Sequence, residues 1–163
     1  MKVTVLDIKN AKVPLELEET LHFPKSSYEN VATLNKIKDV KVKAKCSNYG
    51  DIIEIKLEIH APLVLQCSYT LEDVDYDVDT EEVLEFSEDP LDEEILEITG
   101  NTINIDDYVL GIIIGNIPLK VVKQGAKLPN IKGVKVWSED EFEENHKNQL
   151  DPRLKALDDW EDD

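Results

Sequence analysis

The chain has 163 residues, enough for one domain with a real core, and its 41% hydrophobic and 33% charged residues mark it as globular rather than disordered. A formal net charge of -18, concentrated in the middle of the chain, repels phosphate backbones and excludes DNA as a partner. No apolar run approaches the roughly 20 residues that span a bilayer; Tyr108 to Ile114 is far too short, and Met1-Lys2-Val3 opens no signal-like core, so the expectation is a cytoplasmic protein without membrane insertion.

In chain order, much of the first half reads as strands. Val3, Val5 and Ile8 mark an opening strand. Val40, Val42, Ala44 and Cys46 alternate with Lys41, Lys43 and Lys45, which predicts a strand with one apolar and one cationic face. Asn48-Tyr49-Gly50-Asp51 supplies turn residues, and beyond it Ile53, Ile55, Leu57 and Ile59 alternate with Glu54, Lys56 and Glu58, completing a hairpin. Leu63, Leu65, Cys67 and Tyr69 continue the pattern after His60-Ala61-Pro62, which reads as a turn or bend. Pro62 has no N–H and suits a sheet edge or a strand start. Val74, Tyr76 and Val78 alternate with Asp73, Asp75, Asp77 and Asp79; Val83 to Phe86 and Ile95 to Ile98 are further short strands.

The helical signal comes later. Asn104 is an N-cap candidate, with Asp106 and Asp107 in the first turn, where carboxylates suit the helix dipole. Ile105, Tyr108, Val109, Ile112 and Ile113 then share one face, and Gly115 and Pro118 end the helix. Residues 120–136 read as an irregular basic loop. Ser138 and Glu141 fit a capping box for a short acidic helix, and Asp151-Pro152 is an N-cap with Pro at the first helical position. The organisation is a single core domain over 1–136 and an acidic helical tail over 137–163.

Charge is unevenly partitioned. Residues 57–119 hold 17 Asp or Glu and no Lys or Arg, whereas residues 120–136 hold 5 Lys and no acid. Lys36, Lys38, Lys41, Lys43 and Lys45, with Lys120, Lys123 and Lys127, are therefore the candidate polyanion contacts. Lys41, Lys43 and Lys45 would stand at roughly 6.5–7 Å intervals on a strand, close to the phosphate repeat. Asp73, Asp75, Asp77 and Asp79 are the candidate contacts for a basic partner. Edge-protecting lysines and a solvated acidic strand face are the plain structural explanations of the same two rows. The partition predicts two separate faces, one serving polyanions and one polycations.

Site chemistry is sparse. The Asp75-x-Asp77-x-Asp79 ladder fails as a calcium loop, because the positions that need Gly and Glu are Thr80 and Phe86. Cys46 and Cys67 are too few for a thiol-based zinc site and too few for a disulfide framework, so both are read as thiols and Cys67 as a small buried apolar residue. His22, His60 and His146 stand apart, and there is no phosphate loop or nucleophile motif. The expectation is a non-enzyme that needs no metal or cofactor.

Two stretches carry a family likeness. Cys67-Ser68-Tyr69-Thr70-Leu71-Glu72-Asp73 and Asp151-Pro152-Arg153-Leu154-Lys155-Ala156-Leu157 flank Asn104-Ile105-Asp106-Asp107 and Ile117-Pro118-Leu119. In that order they resemble the bacterial YceD-like family, whose members support accumulation of large-subunit ribosomal RNA. That family carries Cys-x-x-Cys-Leu in mid-chain and a closing Asp-Pro-Arg-Leu-x-x-Leu. The motif residues matched are Cys67, Leu71, Glu72, Asp151, Pro152, Arg153 and Leu154, and Thr70 stands where the family has its second cysteine. The resemblance implies a ribosome-assembly factor that binds the large-subunit precursor through rRNA or a basic ribosomal protein. Family gene neighbourhoods imply an alternative, a regulator that binds an enzyme of fatty-acid or phospholipid synthesis. The expected fold is α+β: a twisted, mainly antiparallel sheet with one apolar helix packed on it and short C-terminal helices.

Overall fold

The computed structural model describes residues 1–90 and 92–127. The elements are β1 (Lys2–Thr4), α1 (Val5–Asn10), β2 (Leu15–Leu21), a 3-10 turn (Lys25–Ser27), β3 (Leu34–Ile37), β4 (Val40–Tyr49), β5 (Ile52–Gln66), β6 (Asp73–Ser87), β7 (Leu96–Glu97), β8 (Thr102–Asn104) and α2 (Ile105–Gly115). The fold is α+β. Its main sheet runs β2-β4-β5-β6-β7, with β3 also on β5, and every pairing is antiparallel except β6 with β7.

Period-two alternation sets the layers. On β4 and β5 the residues Val40, Val42, Ala44 and Cys46, and Ile53 through Leu65 at odd numbers, are buried. They form one core cluster with Val3, Val5 and Ile8 near the amino end and with Ile103, Ile105, Val109 and Ile113 of β8 and α2. Each fully buried Ile or Leu contributes about 1.5–3 kcal/mol. A two-stranded β1–β8 ribbon and both helices thus cover the inner face of the sheet. Phe86 of β6 meets Tyr108 of α2 edge-on, with ring centroids 5.3 Å apart. α2 presents the face expected from its spacing, with Ile105, Val109 and Ile113 buried.

Several elements depart from the sequence expectation. Val3 is on a strand, but Val5 and Ile8 lie on α1, where a separation of three puts both on one buried helical face. Val83 to Phe86 is not a separate strand; it is the end of β6. His60-Ala61-Pro62 is neither turn nor edge but lies inside β5, the strand with partners on both sides. Pro62 is tolerated there because β5 changes neighbours at that point: β4 pairs up to His60, and β3 begins opposite Leu63. The Pro62 carbonyl accepts from the Lys38 N–H at 2.9 Å, so its missing donor would face the break between β4 and β3.

Asn104 occupies the N-cap position of α2 without capping it. Its amide donates to Asp107 Oδ2 at 2.9 Å, and its own oxygen is buried without a partner among the described residues. The Ile105 N–H goes to the Met1 carbonyl instead, and the Met1 amino group sits against Asp106. The expected short acidic helix after Ser138, the Asp151-Pro152 cap, the 137–163 tail and the short C-terminal helices all lie outside the described residues.

Candidate functional site

The outer face of the sheet is a set of cross-strand rows. Lys41 lies between Thr20 of β2 and His60 of β5, and His60 is opposite Asp79 of β6. One step along, Glu18, Lys43, Glu58 and Glu81 form a row; the next is Glu16, Lys45, Lys56 and Val83. Residues directly opposite in an antiparallel sheet share a face. The lysines and the aspartates are therefore on the same face, which corrects the expectation of two separate ones. The reason is the antiparallel register: both rows are the non-core positions of strands that flank β5. Nor does β4 lie at an edge, since β2 covers it, so edge protection does not explain its lysines.

Several of the candidate cations have acidic neighbours. Lys38 Nζ is 2.6 Å from Asp75 Oδ1, Lys45 Nζ is 3.5 Å from Glu16 Oε1, and Lys123 Nζ is 3.1 Å from Glu72 Oε2. Lys120 lies over the Tyr69 ring at 5.1 Å. Lys36, on β3, and Lys127 are exposed. Among the candidate anions, Asp73 accepts from the Asn35 amide at 2.6 Å, and Asp79 Oδ1 is 2.6 Å from His60 Nδ1. Asp77 is opposite Pro62, which offers no donor. Two shallow hollows on this face share Glu18, Lys43, Glu58 and Glu81. Glu16, Glu18, Glu58 and Glu81 were not singled out from sequence; the alternation in Leu15-Glu16-Leu17-Glu18 was the available signal for β2.

The second feature is the turn that follows β5. Cys67 is fully buried, as expected, but it is not a strand-face residue: β5 ends at Gln66, and Ser68 to Thr70 turn away. The Cys67 N–H donates to the Glu72 carbonyl at 2.8 Å, and the Leu71 N–H donates back to the Cys67 carbonyl at 2.9 Å. Leu71 closes this turn with φ of +59°, the left-handed region that costs a residue with a Cβ about 1–2 kcal/mol. Its side chain is exposed, so no burial offsets that strain.

The segment at 121–123, which belongs to no helix or strand, packs against this turn. Ser68 N–H donates to the Val121 carbonyl at 2.8 Å, Val121 N–H points to Ser68 Oγ at 3.3 Å, and Lys123 N–H points to Cys67 Sγ at 3.4 Å. That N–H, foremost, draws the Cys67 thiol down to about 7, with the Thr70 hydroxyl and the amides of Thr70 and Tyr69 assisting against the opposing effect of burial. The Thr70 hydroxyl also reaches Glu72 Oε2 at 3.2 Å, so its one proton is shared, and the amides are the steadier donors. Lys123 and Thr70 together lower the Glu72 carboxyl as well. Cys46, packed in hydrocarbon on β4, goes the other way: burial pushes its thiol up to about 11. Among the described residues no three His, Cys, Asp or Glu side chains are placed to hold a metal. Nor is any helix there long and apolar enough to cross a membrane. Asp151, Pro152, Arg153 and Leu154 lie outside the described residues.

Fold and site define an α+β domain with a mixed-charge outer sheet face and a cysteine-centred turn locked by a distant segment. The chain belongs to the YceD family: the family model described as "Large ribosomal RNA subunit accumulation protein YceD" matches residues 55–159. It is also similar to the "Uncharacterized protein YlbN" of Bacillus subtilis (strain 168), at 29% identity over 167 residues, covering 96% of this chain and 94% of that one. No solved structure matches. The matched stretch contains β6, the Cys67 turn and Lys120–Lys127, whereas Lys36 to Lys45 precede it.

Proposed function

We propose that this protein supports accumulation of large-subunit ribosomal RNA by binding rather than by catalysis, and that its direct contact is a basic protein of the large-subunit precursor. The family description supports the accumulation role. One observation carries the basic-protein contact: the central row of the outer face sets Lys43 between Glu18 and Glu58, with Glu81 beyond, and the next row sets Lys45 beside Glu16. A polyanion approaching Lys43 meets Glu18 and Glu58 on either side, which cancels most of the attraction that phosphate contacts need. The acidic excess of residues 57–119 instead favours a polycation.

The test is a depletion strain. The expected outcome is a fall in mature large-subunit rRNA relative to small-subunit rRNA, restored by the wild-type gene. An unchanged ratio under verified depletion would sink the assembly role. A salt series of ribosome co-sedimentation then separates the contacts. Lys41→Gln with Lys43→Gln should leave it unaltered, and loss of association in that variant would return rRNA itself as the ligand.

A further inference from the structure

Along most of its length β6 has a neighbour on one side only among the described residues. β7 meets it at Phe86 and Ser87, and among the described residues nothing pairs with the outer side of Asp73 to Glu85. Backbone parity tells which groups are open. The Ser87 carbonyl accepts from the Ile98 N–H at 2.8 Å, so Ser87 faces away from β5; the Glu72 carbonyl, which accepts from Cys67, faces towards it. The β5–β6 register runs unbroken from Gln66 opposite Asp73 to Ile52 opposite Ser87. The odd-numbered residues from Asp73 to Glu85 therefore direct both N–H and C=O outward.

Those same residues place their side chains on the outer face, and all but Val83 are acidic. Their inward polar contacts leave them accessible: the Asp75 and Asp79 side chains remain 80% and 72% exposed despite Lys38 and His60. On the inner face Val74, Tyr76 and Leu84 are packed against the core but only partly buried, with Thr80 and the exposed Glu82 between Tyr76 and Leu84. Among the described residues this strand edge thus offers unpaired backbone groups and a carboxylate row above, with hydrocarbon below at Val74, Tyr76 and Leu84.

We propose that this edge receives an extended segment of a basic protein as an added strand. Lys or Arg at every second position would lie beside the Asp row, and apolar residues between them would cover Val74, Tyr76 and Leu84. Main-chain hydrogen bonds supply the affinity of such an addition and the alternating side chains its specificity. A second copy of this chain is a poor occupant, because edge-to-edge pairing sets two acidic rows side by side. A nucleic-acid strand meets the same repulsion and lacks the backbone donors and acceptors that match a sheet edge. This inference rests on the basic-protein contact proposed above and names its geometry.

The experiment uses the full chain and synthetic peptides in place of the unidentified partner. One is a dodecapeptide alternating Lys and Val; a second has the same composition with the lysines in one block; a third carries N-methyl groups on the alternate amides that would face β6. The alternating peptide should bind at least tenfold more tightly than either control and slow hydrogen exchange at the odd-numbered amides of 73–85. Asp77→Pro removes one outward N–H without touching the β5 ladder and should lose at least tenfold relative to Asp77→Asn. Equal binding of all three peptides would reduce the edge to diffuse charge attraction and overturn the proposal. So would outward amides already protected in the free protein, since the edge would then be occupied. The rRNA ratio on depletion is read independently, so a failed peptide leaves the assembly role standing, and an unchanged ratio leaves strand addition standing with some other basic protein.

Discussion

The backbone N–H of Lys123 points at the sulfur of Cys67 from 3.4 Å, although 56 residues separate the two along the chain. A donor aimed at sulfur favours thiolate over thiol, and this one holds Cys67 near 7 while Cys46 sits at about 11. Thiolate absorbance should therefore report a single cysteine between pH 6 and 8. Lys123→Pro deletes the donor and should move that titration up towards the ordinary value of about 9; Lys123→Ala keeps the N–H and should leave it in place. An identical titration in the Pro variant would remove the N–H as the cause.

The same pair makes a signed statement about stability. The Cys67 pKa is lower folded than unfolded, so the unfolded chain binds more protons between the two values, and stability rises with pH from about 7 to about 9. Its contribution is complete above 9 and gone below 7. Cys46 is raised, so from about 9 to about 11 it acts in the opposite direction. Denaturant melts of the Cys67→Ser variant against wild type across this range should show the lower slope vanish and the upper one persist. A wild-type slope that survives in Cys67→Ser would assign the effect to another group.

Leu71 is held at positive φ with its side chain exposed. Leu71→Gly removes a cost of about 1–2 kcal/mol and adds about 0.5–1 kcal/mol of chain entropy, so a net gain near 0.5 kcal/mol is expected. Leu71→Val, stiffer at the same backbone angle, should lose about 1 kcal/mol or more. Equilibrium unfolding of both variants checks this; destabilisation by Gly would mean that the leucine side chain has a contact of its own to protect.

Lys43 stands between Glu18 and Glu58 in a cross-strand row. Lys43→Glu places three carboxylates in succession, with Glu81 beyond, and should cost on the order of 1–2 kcal/mol, since each like-charged neighbour acts against the sheet. The thermal midpoint should recover in about 0.5 M salt, where screening is short-ranged. No recovery would point to lost side-chain packing instead of charge.

Much of the sheet was legible in the sequence because a strand half-buried in a sheet must alternate. β4, most of β5, the start of β6 and the apolar face of α2 follow from the spacing of Val, Ile and Leu alone. Short elements were not legible: β1, β3, β8 and α1 hold too few residues to establish a period, and Val5 and Ile8 suit a helix or a strand until α1 is seen packing on the core. Cys67, Leu71 and Glu72 could be singled out by family likeness, but the donor that tunes the thiol is an amide 56 residues away, and a backbone N–H carries no sequence signature. The charge rows show the same division. Their composition and alternation were determined locally, along each strand. Only the antiparallel register decided that Lys43 faces Glu58, that Asp79 shares a face with Lys41, and that the acidic side of β6 is an open edge among the described residues, because pairing is a relation between strands.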